Sequence, residues 1–163
     1  MKYLSVLTLI LLLSSCGQSS NNKPTIDIDK VQATMIDIEL KDSSSLFILL
    51  AKDGTINRKG DLKTPDKNFF IGISKENLFD KLMKTMTNDL SSYCDKIHVH
   101  ADTTKKINKI KIGFSGPEGD TGFEYYSDEP IEKLPKPILD FINNSIQVTD
   151  PWFKSQQDMI KPK

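Results

Sequence analysis

The residue types most able to do chemistry in this chain are few: two histidines, two cysteines, and one acidic run that also carries aromatic residues. His98-Val99-His100 would set two imidazoles on one face of a strand, roughly 6 to 7 Å apart along it, which is the start of a metal site. Two ligands do not hold an ion. Cys94, Asp95 and Asp102 lie close in sequence, but their spacing matches no zinc pattern. The residues therefore predict a solvent-facing pair, with Ile97 and Val99 packed inward, and no assigned metal; a metal-binding protein using His98 and His100 is the alternative. Asp27-Ile28-Asp29 fails as a calcium loop. Gln32 stands where the turn glycine belongs and Ile38 where the bidentate glutamate belongs.

Ala51-Lys52-Asp53-Gly54-Thr55 resembles part of the Asp-x-Asp-Gly-Thr signature of haloacid-dehalogenase-like phosphotransferases, which also follows an apolar strand. Alanine occupies the position where that chemistry needs a carboxylate nucleophile. Asp53-Gly54 instead predicts a hairpin turn. Gly113-Phe114-Ser115-Gly116-Pro117 approaches the nucleophile elbow of serine hydrolases, yet it has proline in the fifth position and leads into a turn. Both histidines precede Ser115, whereas that fold places its base after the nucleophile. Neither motif supports an enzyme, and no cofactor is implied.

Residues 116 to 132 contain Glu118, Asp120, Glu124, Asp128, Glu129 and Glu132 without a lysine or arginine, interleaved with Phe123, Tyr125 and Tyr126. Such a segment is a candidate docking surface, and Glu124, Tyr125, Tyr126 and Asp128 are its candidate partner-binding residues. Cross-strand pairing of Glu124 with Lys109 or Lys111 would account for the same charges structurally.

The N-terminus carries a different chemistry. Lys2 precedes an apolar stretch from Tyr3 to Leu13, interrupted only by Ser5 and Thr8. As a helix it would span about 16 Å, too short for a bilayer, so it reads as a cleaved signal peptide. Leu13-Ser14-Ser15-Cys16 follows and resembles the lipobox of bacterial lipoproteins. That resemblance implies cleavage before Cys16, lipidation of its thiol, and anchoring to a bacterial cell membrane or outer membrane. The implied organisation is a signal peptide over residues 1–15, lipidated cysteine and tether over 16–24, and one folded domain over 25–163. Gly17 to Pro24 suits a flexible tether. Cys94 would then lack an intramolecular partner, as either a buried thiol or an exposed one open to intermolecular pairing.

Basic and acidic residues balance at 22 each, and loss of Lys2 would leave a net charge of −1. Neutrality gives no electrostatic case for nucleic acid or for anionic headgroups.

The elements that must position these groups are mostly strands. Period-two alternation marks Thr34 to Leu40, and an apolar run marks Leu46 to Ala51. Thr55 to Arg58, Asn68 to Ile73, Lys96 to His100, Asn108 to Ser115 and Thr121 to Tyr126 complete the set; Thr25 to Val31 is an edge strand or nothing. Ser74 is placed to cap a helix with apolar residues from Leu78 to Leu90, and a short helix is expected from Pro137 to Ile146, with Trp152 and Phe153 covering a core edge. The expected fold class is α+β: an antiparallel sheet with about two α-helices on one face. The expected function is that of a membrane-anchored envelope lipoprotein acting as a non-enzymatic, inhibitor-like or immunity-like protein-binding module.

Overall fold

The computed structural model describes residues 26–62, 68–102 and 104–161; the signal-peptide and lipobox residues, Cys16 included, lie outside the described residues. Among the described residues, seven strands form one sheet in the order β4-β3-β2-β1-β6-β7-β5. In chain order they are β1 (Ala33–Glu39), β2 (Ser45–Ala51), β3 (Thr55–Lys59), β4 (Phe69–Ile73), β5 (Lys96–His100), β6 (Asn108–Gly116) and β7 (Gly119–Ser127). The α-helices are α1 (Leu78–Met83) and α2 (Lys136–Ile160). The fold is α+β, as expected. Six strands are antiparallel neighbours, while β5 joins the β7 edge in parallel, so the sheet is mixed.

Alternation along each strand sends one set of side chains to the helix-covered face. Ile36 and Ile38 of β1, Leu46, Ile48 and Leu50 of β2, and Ile110, Ile112 and Phe114 of β6 are buried there. Turn chemistry fixes that register. At the β2–β3 turn Gly54 takes φ 93°, and Asp53 Oδ1 accepts a hydrogen bond from the Thr55 amide at 2.9 Å. The Asp53-Gly54 pair is thus a hairpin turn.

Helix α2 crosses the covered face from β6 to β4: Phe141 meets Phe114 of β6 at 5.5 Å between ring centroids, and Phe153 meets Phe70 of β4 at 5.5 Å. It is much longer than the Pro137 to Ile146 helix expected from sequence. Pro151 lacks the amide that would reach the Gln147 carbonyl, but tertiary contacts carry the helix past it. Trp152 packs over Gly72, where a β-carbon would sit 3.1 Å from the indole. Arg58 of β3 is 1% exposed, lies under the Phe153 ring with its carbon 4.8 Å from the centroid, and places Nη2 3.0 Å from Asp150 Oδ1. Its Nη1 donates to Thr149. Burial pulls the Arg58 pKa down from its usual value, and the Asp150 carboxylate opposes that shift.

The other expected helix divides. Asn77, not Ser74, caps α1, its side chain accepting from the Asp80 amide at 3.0 Å. The α-helix ends at Met83, and a 3-10 turn over Asn88–Tyr93 buries Leu90. Thr85, Thr87 and Asn88 hold helical geometry poorly. Residues 26 to 31 form a 3-10 turn at Ile28–Lys30, with Ile26 and Val31 buried on either side.

Candidate binding face

Among the described residues, no helix covers the opposite face of the sheet. Cross-strand register arranges its side chains in rows. One row reads Phe69, Lys59, Phe47, Asp37, Lys111, Glu124, Ile97 from edge to edge. The row beside it reads Ile71, Asn57, Leu49, Met35, Gly113, Gly122. Five large apolar side chains are exposed here: Phe69, Ile71 and Ile73 at the β4 edge, and Ile97 and Val99 at the β5 edge. They form two separate apolar patches, one at each edge of the sheet.

Gly113 and Gly122 are paired across β6 and β7, which removes two adjacent side chains from the face. The gap is a trough of about 380 Å³ whose lining includes Met35, Ile97, Lys111 and Glu124. The two glycines differ in kind. A β-carbon at Gly122 would lie 2.3 Å from the Ile112 carbonyl oxygen, whereas one at Gly113 would find only ordinary contacts, the nearest being Met35 Cε at 3.8 Å. Glycine is therefore structurally required at 122 and optional for packing at 113. A larger hollow of about 840 Å³ lies toward the β1–β2 turn, walled by Asp37, Glu39, Lys59 and the edge-to-face pair Phe47 and Phe69, whose centroids are 6.0 Å apart.

Lys111 Nζ lies 2.6 Å from Glu124 Oε1, and the Tyr126 hydroxyl donates to the same carboxylate. Those hydrogen bonds hold the Glu124 carboxyl below its usual range and raise the Lys111 and Tyr126 pKa values. Lys109 pairs with Glu39 at 3.3 Å. Asp37 is shifted upward, chiefly by partial burial and then by Glu39. Glu124 and Tyr126 share this open face, as the acidic, aromatic segment suggested. Tyr125 does not: it is 7% exposed on the helix-covered face, where burial raises its pKa. Asp128 follows the end of β7, and its carbonyl accepts from Lys41 Nζ at 2.9 Å. The four residues singled out by sequence thus form no single patch, and Met35, Gly113 and Ile97, none of which the sequence marked as a binding residue, complete the surface around Glu124.

The histidines are placed opposite to the sequence expectation. His98 and His100 point to the covered face and stack on Tyr125, at centroid distances of 5.9 and 5.0 Å, while Ile97 and Val99 are exposed. His98 Nε2 is 3.0 Å from the Tyr93 carbonyl, which can only accept, so that nitrogen carries a proton. Among the described residues, no group of three or more His, Cys, Asp or Glu side chains converges to hold a metal. Cys94 is a buried thiol with a raised pKa, caused by burial. Ser115 lies on the open face, paired with Ala33, on the other side of the sheet from both histidines. No described helix is long and apolar enough to cross a membrane. No protein-family model matches the chain, and no curated protein matches it.

Proposed function

We propose that this chain is a lipid-anchored envelope protein whose domain is a non-enzymatic binding module, and that it grips another protein through the open face of its sheet. The observation that carries the binding reading is the glycine-floored trough on a helix-free face, flanked by the exposed Ile97 and by Met35. An apolar side chain of a partner fits a trough of about 380 Å³, and the Lys111–Glu124 pair beside it offers polar rim contacts. Interfaces are built this way: a desolvated anchor at the centre and charge at the border. The anchoring part rests on Leu13-Ser14-Ser15-Cys16 after a short apolar core. Several acyl chains on Cys16 would hold the protein stably at a membrane.

The test is affinity capture from envelope extract, with the wild-type protein and a Gly113→Val variant as parallel baits. A partner retained by the wild type and lost by an equally stable variant supports the reading. Equal recovery by both removes the trough from it.

A further inference from the structure

The β4 edge of the sheet is self-complementary, and we infer that it joins a second copy of this chain into a continuous fourteen-stranded sheet. The argument starts from hydrogen-bond parity. Ser74 N donates to Gly54 O at 2.9 Å and Gly60 N to Asn68 O at 3.3 Å, so the even-numbered residues of this ladder are the ones bonded to β3. The amides and carbonyls of Phe69, Ile71 and Ile73 consequently point outward from the sheet edge. Their side chains are also the exposed ones, at 50%, 70% and 74%.

An antiparallel second copy centred on Ile71 would match outward groups with outward groups at every step. Ile71 faces its own twin on the two-fold axis, and Phe69 faces Ile73 on either side. Three hydrogen-bonded pairs supply about six backbone hydrogen bonds, and six apolar side chains close together on the open face. This is the isologous arrangement that closed symmetry requires.

Edge strands are normally defended by charge, proline or a bulge. The β4 sequence Phe-Phe-Ile-Gly-Ile has none of these, and its five-residue pairing with β3 is unbroken. The opposite edge is different: β5 carries Lys96, His98 and His100. At 50 to 74% exposure the three β4 side chains leave on the order of 350 Å² per copy, about 700 Å² for two. Edge pairing covers only the flanks of these side chains and the strand backbones, so the contact stays below the roughly 1,000 Å² at which specific interfaces begin. The dimer is therefore a dissociable one.

The experiment uses the full chain in cell membranes. Ile71→Cys, treated with a short bismaleimide, is expected to give a covalent dimer at least tenfold above the wild type, whose Cys94 is buried, and above Ile97→Cys, which reports collision at the other edge. Differently tagged Phe69→Cys and Ile73→Cys chains are expected to cross-link to each other more strongly than Phe69→Cys chains do among themselves, as the antiparallel register demands. A cross-link at Ile71 no stronger than at Ile97, or a preference for Phe69 with Phe69, overturns the inference. These outcomes do not depend on any other protein partner.

Discussion

Arg58 and Asp150 join the sheet to the long helix through an ion pair of 3.0 Å, with the arginine 1% exposed and the aspartate one-third exposed. The pair sits next to Pro151, where α2 has lost a backbone hydrogen bond, and it helps hold the last third of the helix on the sheet. Removing only the arginine leaves Thr149 and Asp150 without their buried donor. Arg58→Ala is expected to cost about 3 kcal/mol or more, in the range for breaking a buried pair. Arg58→Met, which retains the apolar packing on Phe153, should cost less. Urea denaturation of the two variants measures the difference, and equal losses would assign the effect to the lost ion pair and hydrogen bond, with nothing left for packing.

The two facing glycines make opposite predictions. Gly113→Val fills a trough whose nearest atoms are 3.8 Å or more from the added β-carbon, so melting temperature should hold while partner capture falls. Gly122→Ala forces a β-carbon against the Ile112 carbonyl, and should destabilise the fold outright. Thermal melts with capture assays on the same preparations separate the two effects.

Cys94 links stability to alkaline pH. Burial raises its pKa in the folded protein, while the unfolded thiol ionises near about pH 8.5. Above that pH the unfolded state loses a proton that the folded state keeps, so the contribution present below about pH 8.5 is lost as pH rises toward the folded pKa. Denaturation between pH 8 and 10 should show a decline that Cys94→Ala reduces. In the native protein the thiol should react with Ellman's reagent only at the rate of opening.

The anchor is tested separately. Cells fed radiolabelled palmitate should label the wild-type chain, and Cys16→Ala should abolish the label and leave unprocessed precursor. Persisting label in the variant would refute lipidation at Cys16.

Most strands were legible because alternation along a half-buried strand is a local property: Ile36 and Ile38 against Asp37 and Glu39 announce β1 without help from the rest of the chain. The sidedness of β5 was not. Ile-His-Val-His alternates either way, and what decided it was the stacking of both imidazoles on Tyr125 across a parallel pairing that sequence does not announce. The second half of α2 was hidden by Pro151, whose local cost is overridden by Phe153, Trp152 and the Arg58 contacts. The trough had a readable signal. Gly113 and Gly122 stand three residues outside Gly116 and Gly119, the pair that closes the hairpin, so the turn register alone places them face to face.

Strands β4 and β5 follow one another in the chain yet lie at opposite borders of the sheet, six strand spacings or about 29 Å apart. The segment through α1 and the 3-10 turn that joins them must cross beneath the sheet, and β1 must wait for β6, with Ala33 pairing Ser115 far along the sequence. Four of the six pairings are hairpins between consecutive strands, so β1 to β4 and β6 with β7 can each form locally, but the whole sheet waits for the two long-range pairings, β1 with β6 and β5 with β7. Those two long-range closures should limit the rate of refolding, and until they form the inner edges of β1 and β6 stay unpaired. A protein delivered to its compartment unfolded would spend that interval exposed to proteases and to other copies of itself.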